Sequence, residues 1–407
     1  MPEAPSLPIP KTKASYHAVA AGFLGWTLDA FDFFVVTFLI STLAQQFHVT
    51  RKDIILTTTA TLAMRPVGAL LFGLLADRFG RRIPLMANVI YFSLIELACG
   101  FAPNFTVFLI LRALFGIGMG GEWGVGASLA MEATPRKWRG ILSGMLQSGY
   151  SWGFLLAAVA ARFVLPTLGW RWMFWLGSLP ALLALYIRAK VPESAAWQQH
   201  RAASTMQVLR VVLSHWKRFA YLVVLMTFMM FLSHGTMDLL PDFLQEIFHA
   251  TPAGSANVII FANLGAVVGA ILFGHFSQLI GRRYSMIASL VLCLAMLPFC
   301  AFGSTLTGVT FAAVLLYAGV QGAWGVIPVH LNELSADAAR GLMPGLAYQL
   351  GILFAAPTNT VEYALRGRVG YQWAIAGFEI VTICALLLLL SFGAEDHNKS
   401  FTSSDKS

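Results

Sequence analysis

Charge is scarce in this chain. Asp, Glu, Lys and Arg together make up 11% of its residues, against 57% hydrophobic ones, and the mean hydropathy is +0.71. Soluble domains carry about 25% charged residues, so this composition excludes them and points to a membrane protein. Cysteine is also scarce. Cys99, Cys293, Cys300 and Cys384 all lie in apolar runs, with no metal spacing and no secreted disulfide framework, and read as packing residues. No nucleotide-binding loop and no nucleophile–base constellation is present, so neither an enzyme nor a bound cofactor or metal is expected. The opening MPEAPSLPIPKTK is Pro-rich and polar. It is too hydrophilic for a cleaved signal peptide, and the first apolar helix is expected to insert uncleaved.

What the chain has instead is long apolar runs. Twelve helices are expected, at 19–43, 54–77, 83–102, 105–131, 139–163, 168–189, 219–245, 255–280, 284–303, 308–332, 341–364 and 370–393. A polar segment splits them six and six. The expected organisation is a disordered N-terminus (1–18), a six-helix bundle (19–190), a linker (191–217), a second six-helix bundle (218–393) and a disordered tail (394–407). The fold class is therefore an all-α membrane protein of twelve transmembrane helices in two pseudo-symmetric bundles.

Lys and Arg outnumber Asp and Glu, 27 to 19, but their placement argues against a nucleic-acid partner. With both termini cytoplasmic, 19 basic residues fall in cytoplasmic segments and 6 outside, leaving Arg65 and Arg112 within the membrane. The positive-inside rule accounts for the excess and predicts a multi-pass protein of the cytoplasmic membrane.

The halves repeat with a shift of 201 residues, gap-free from Phe47/Phe248 to Trp172/Trp373. GALLFG (68–73) falls on GAILFG (269–274), GRR (80–82) on GRR (281–283), and GEWGV (121–125) on GAWGV (322–326). Glu132 falls on Glu333 and Arg139-Gly140 on Arg340-Gly341. Six helices duplicated in parallel are the architecture of a two-bundle secondary transporter.

GLLADRFGRR (73–82) resembles the loop 2–3 signature of the major facilitator superfamily, and the resemblance covers nearly the whole chain. It implies a gate in which Asp77 meets a helix N-terminus across the bundle interface, with Arg78, Arg81 and Arg82 as cytoplasmic anchors. In the second half Asp77 becomes Gln278 and Arg78 becomes Leu279, so such a latch is one-sided. LRALFGIG (111–118) resembles the fourth-helix signature of proton-coupled members, and the fifth helix lacks the Gly-Pro antiporter signature, which favours symport. GWTLDAFDFF (25–34), GIGMGGEWG (116–124) and GWRWMFWLG (169–177) resemble the sialate/carboxylate:proton symporters.

The sharpest match is to the seventh helix of fungal lactate/pyruvate permeases, Asn-x-x-[Ser/Thr]-His-x-[Ser/Thr]-Gln-Asp-x-x-x-Thr. Ser233, His234, Thr236 and Asp238 match it; Met230, Met237 and Asp242 depart. In the eleventh helix Gln349 matches the permease pattern and Ile352 does not, and Arg65 in RPVGALLFG matches the second-helix arginine. The resemblance implies proton-driven symport of a small monocarboxylate by a functional monomer, with a small organic anion, a proton and the bilayer as partners. Sialate or another sugar acid is the alternative substrate. A transport-dead sensor is disfavoured, because the linker and tails are too short for a signalling domain.

The intramembrane polar residues read as follows. Arg65 lies about 16 Å into the second helix, near the midplane, and suits a substrate carboxylate held bidentately; pairing with Asp29 or Asp32 is the alternative. His234 and Asp238, four apart on one face, are expected near mid-bilayer as a substrate-linked pair, or else as helix packing. Asp29 and Asp32 share a face, and two carboxylates in a low dielectric resist ionising together, which suits a proton carrier. Glu122, flanked by glycines, couples protons or partners Arg112, which is itself structural or coupling. Glu96, His275, His330, Glu362 and Glu379 read as packing or interfacial groups, and Phe31, Trp123 and Trp324 as cavity-lining.

Overall fold

The computed structural model describes residues 13–202 and 204–402. Twelve spans follow one another. The first six are α1 (Lys13–Phe47), α2 (Arg51–Phe79), α3 (Arg82–Cys99), α4 (Phe105–Ala133), α5 (Arg139–Phe163) and α6, broken into Trp170–Leu176 and Pro180–Lys190. The second six are α7 (Trp216–Met237, continued by Leu240–Ile247), α8 (Pro252–Ile280), α9 (Arg282–Phe302), α10 (Leu306–Leu334), α11, broken into Met343–Ala355 and Thr358–Val369, and α12 (Tyr371–Phe392). Short helices Ala195–His200 and Thr205–Ser214 lie between the halves.

Nine helices among the described residues are by themselves long and apolar enough to cross a membrane. The other three spans have local reasons for falling short. In α6 and α11 the helix breaks before Pro180 and at Pro357, where proline lacks an N–H to continue the ladder. In α5 the apolar run is interrupted by Ser143, Gln147, Ser148 and Ser151, all buried.

The repeat persists in backbone detail. His48 and His249, 201 apart, both adopt positive φ (54° and 50°) at the turns before α2 and α8. Gly80 and Gly281 do so at 104° and 100°, a conformation glycine reaches without Cβ strain. Within the first bundle, α2 and α4 approach so closely that a Cβ on Gly120 would lie 1.9 Å from the Arg65 carbonyl oxygen. Only a small residue permits that contact, which seats Arg65 against α4.

The bundles are joined on the face carrying the Gly80 and Gly281 turns, here the latch face. Asp77 accepts from the backbone N–H groups of Gly341 (2.7 Å) and Leu342 (3.0 Å), at the start of α11. Arg81 donates to Asp77 (2.5 Å) and to both oxygens of Glu132, which also takes Arg340 at 3.2 Å. Ser143 Oγ donates to Gly325 O and accepts from Val329 N. In the second half Arg282 grips Glu333 as Arg81 grips Glu132.

Two terminal expectations are corrected. Residues 13–18, expected to be disordered, are helical and form the first turns of α1; residues 1–12 lie outside the described residues. The tail, expected to be disordered because it is polar, is ordered through 402 by polar contacts with the latch face. Glu395 accepts from Arg282 N (2.6 Å), and Gln278 Nε2 donates to Asn398 (2.6 Å). Arg139 donates to Lys399 O (2.6 Å), while Lys399 Nζ meets Asp337 (3.2 Å). Phe401, 1% exposed, lies under Arg139 (3.8 Å) and Arg340 (4.1 Å), one arginine from each half.

Candidate functional site

Arg65 lies midway along α2, fourteen residues from either end, and is 3% exposed. Its Nε and Nη2 have no hydrogen-bond partner among the described residues, and its Cζ lies 5.9 Å from the Tyr348 ring centre. Gln349, the next residue on α11, is fully buried and donates to Gly120 O at 3.5 Å. Arg65 and Gln349 thus meet the same glycine of α4, one on each side of the bundle interface.

The acidic residues cluster behind this point. Asp29, Asp32 and Glu122 are buried, and none of their carboxylate oxygens has a hydrogen-bond partner among the described residues. Glu122 packs against Gly25 of α1, where a Cβ would come within 2.2 Å of its Oε1. Asp32 is equally close to Gly177, at the break in α6. An ionised carboxylate buried without partners is costly, so the cluster suits groups that take up and release a proton.

Arg112 pairs with Glu96, not with Glu122. Its Nη1 lies 2.9 Å from Glu96 Oε2, both side chains are buried, and its guanidinium covers the Phe115 ring at 4.3 Å. Glu122 is ten residues further along the same helix, a rise of about 15 Å, beyond pairing distance. Glu96, expected to be a packing residue, is therefore the acidic partner.

His234 and Asp238 do meet, Nδ1 to Oδ2 at 2.9 Å, and Asn359 donates to the same oxygen at 2.8 Å. Along the chain, His234 lies within three residues of the middle of the apolar stretch Trp216–Ile247. The side chains are 35% and 37% exposed, and His234 lies eighteen residues, about 27 Å, from the latch-face start of α7. The pair lies on the part of α7 away from the latch face, beside the break that follows Met237 just ahead of Pro241. Beyond it Asp242 accepts from Arg366 (3.0 Å) and the Tyr371 hydroxyl (3.0 Å), tying α7 to the α11–α12 turn.

Of the four residues expected to gate, Asp77 and Arg81 form the latch itself. Arg78 Nη1 donates to Ala202 O (3.4 Å), and the Arg82 N–H donates to Glu193 (3.2 Å), so both contact the segment between the halves.

The aromatic lining is richer than expected. Trp123 lies against Tyr348 with ring centres 4.3 Å apart and planes tilted by 30°, Trp26 and Trp324 present edges to Tyr348 at 6.2 and 5.5 Å, and Trp26 stacks on Tyr150 at 5.5 Å. Trp324 Nε1 donates to Ser233. Trp26, Tyr150 and Tyr348 were not singled out by sequence, although the Trp123/Trp324 repeat pair pointed to this layer. Phe31 does not join it; it is buried in a separate core with Val35, Val36 and Leu39.

Comparison with known proteins decides the family. The profile of the Sugar (and other) transporter family matches residues 12–211 and 249–395. The chain belongs to this family of the major facilitator superfamily. It is 30% identical to a carboxylic acid transporter protein homolog of Saccharomyces cerevisiae, covering 95% of this chain and 68% of that one. It is 29% identical to the sialic acid transporter NanX of Escherichia coli (94% and 93% covered). A probable 4-methylmuconolactone transporter of Cupriavidus pinatubonensis is also 29% identical (91% and 88% covered). The proton:xylose symporter XylE superposes with a TM-score of 0.78 over 96% of this chain and 98% of that one, at 18% identity, and shows the shared fold. This is an all-α membrane transporter of the major facilitator type, not an enzyme.

Proposed function

We propose that this transporter imports a small monocarboxylate of the lactate or pyruvate kind together with protons, by alternating access. The observation that carries the reading is Arg65. It is a guanidinium at mid-membrane with two nitrogens unpartnered among the described residues, whereas Arg112 is already held by Glu96. A carboxylate completes such a guanidinium bidentately. Gln349 is the neutral donor beside it, and His234 with Asp238 receives the anion at the open mouth.

Protonation of Asp29, Asp32 or Glu122 offsets the substrate charge, so that the loaded carrier crosses without a bare anion in lipid. The Arg112–Glu96 pair links that cluster to the α3–α4 packing. The bundles, residues 19–190 and 218–393 joined by the linker 191–217, rock about the Arg65 level. The latch of Asp77 and Arg81, with Arg78 and Arg82 on the linker, holds the cytoplasmic release side shut until transport. The Lys/Arg distribution supports a cytoplasmic latch face, cytoplasmic termini and residence in the inner membrane of the cell. The proposed working unit is the monomer.

The test is uptake of labelled L-lactate into proteoliposomes under an imposed pH gradient. Accumulation should collapse with a protonophore. Arg65→Lys should nearly abolish it while purification yield and helicity stay normal, because a point charge does not reproduce the fork. Robust Arg65→Lys uptake with near-normal KM refutes the assignment, and accumulation that needs sodium instead refutes the coupling ion. A sugar acid is the second substrate reading, favoured by the near full-length similarity to NanX; N-acetylneuraminate in the same assay distinguishes it.

A further inference from the structure

Below Arg65 the interface carries an aromatic layer. Trp123 and Trp324 each lie ten residues, about 15 Å, from the latch-face end of their helices, whereas Arg65 lies fourteen residues, about 21 Å, from its own. Tyr348 projects from the second bundle into this layer. It lies against Trp123 at a tilt and meets the edge of Trp26, both from the first bundle, and meets Trp324 from its own. All four rings are 5% exposed or less.

The scaffold does not require a ring at this position. The repeat counterpart of Tyr348 is Gln147, whose Oε1 accepts from Trp123 Nε1 at 3.2 Å. One half therefore steadies its tryptophan with a slim polar side chain, and the other fills the same place with a phenol that crosses the interface. That phenol is also the aromatic group over the Arg65 guanidinium.

We infer that Tyr348, held between Trp123 and Trp324, is the floor of the Arg65 site and sets the largest carboxylate the site accepts. The inference rests on Arg65 as the carboxylate anchor. With the carboxylate fixed there, the rest of a bound acid lies against the aromatic layer. A short acid ends above the ring; a bulky one has to displace Tyr348 from Trp123. When the latch face opens, the bundles part and the Tyr348–Trp123 contact separates, so the same ring clears the way for release.

The experiment uses purified full-length wild type, Tyr348→Phe, Tyr348→Leu and Tyr348→Ala. Affinity is measured by ligand-induced thermal shift across acetate, lactate, benzoate, mandelate and N-acetylneuraminate, and lactate counterflow is measured alongside. Tyr348→Phe should keep the wild-type size cut-off, because the ring is retained. Tyr348→Ala should move the cut-off upward, with bulky acids gaining about 10- to 200-fold relative to lactate, the span a pocket exerts over small volume changes. Tyr348→Leu should fall between them, and serves if the alanine variant fails to fold. An unchanged ranking in Tyr348→Ala or Tyr348→Leu overturns the floor. Absence of wild-type lactate counterflow overturns the monocarboxylate reading instead, while a shifted cut-off among larger acids would still support the floor.

Discussion

Phe401→Ala tests whether the ordered tail stabilises the latch. The ring lies under Arg139 of the first half and Arg340 of the second. Once the latch face opens, those arginines separate and one ring keeps at most one of them. The closed state therefore gains one extra cation–π contact, about 0.5–2 kcal/mol. It also gains part of the burial of a phenyl ring, which in full is worth about 1.5–3 kcal/mol. A net bias of about 1–3 kcal/mol corresponds to a 5- to 150-fold shift in the closed-to-open ratio. Spin labels at Lys137→Cys and Tyr284→Cys, both exposed and one on each bundle, report it by electron–electron double resonance, with the exposed Cys384 changed to Ser. Phe401→Ala should enlarge the long-distance component by that factor, and Phe401→Tyr should leave it near wild type. Identical distance distributions for Phe401→Ala and wild type would show that the tail decorates the latch without stabilising it.

Two further changes probe the interior. Glu96→Gln leaves Arg112 buried beside a neutral partner and should cost about 3–5 kcal/mol, read as a lower Tm, whereas Glu96→Leu with Arg112→Ala should recover most of that stability yet still transport poorly. His234→Ala and Asp238→Asn should each weaken lactate uptake and flatten its profile across about pH 5–8, with the double change costing less than the sum; single variants with wild-type profiles would reduce the pair to helix packing.

The fold was legible because its determinants are local and repeated. Apolar runs marked the spans, and the 201-residue shift predicted which turns would match; His48 and His249 match down to the sign of φ. The position of Arg65 followed from counting residues along α2. The misreadings share one cause, which is that burial and pairing are tertiary. Ten residues of one helix separate Arg112 from Glu122, and only the packing of α3 on α4 brings Glu96 into place. The tail has no apolar run to announce order, yet its polar groups and Phe401 meet residues gathered from distant positions. The break after Met237 was overlooked, although Pro241 was there to signal it. Tyr348 was overlooked because a tyrosine in an apolar run looks like ordinary packing, until the repeat shows a glutamine in its place.

The repeat also separates scaffold from chemistry. Positions that shape the latch-face turns are kept in both halves, Gly80 and Gly281, Arg81 and Arg282, Glu132 and Glu333, although the bridging Asp77 becomes Gln278. Positions in the candidate site are not. Arg65 faces Ala266 across the repeat, Glu122 faces Ala323, and Gln349 faces Ser148. The Arg112–Glu96 pair corresponds to Ala313 and Leu297, both buried, so an equivalent helix pair packs there without any charge. A buried ion pair seldom stabilises more than well-packed apolar side chains would. The first half therefore retains a costly group that the second half shows the fold can do without. That asymmetry is an argument for the proposed function: Arg65, proposed to bind the anion, and Asp29, Asp32 and Glu122, proposed to carry the proton, gather in the first bundle, while the second supplies His234, Asp238 and the proposed floor ring Tyr348. Substrate held by both bundles at once can then report its presence to the interface along which they rock.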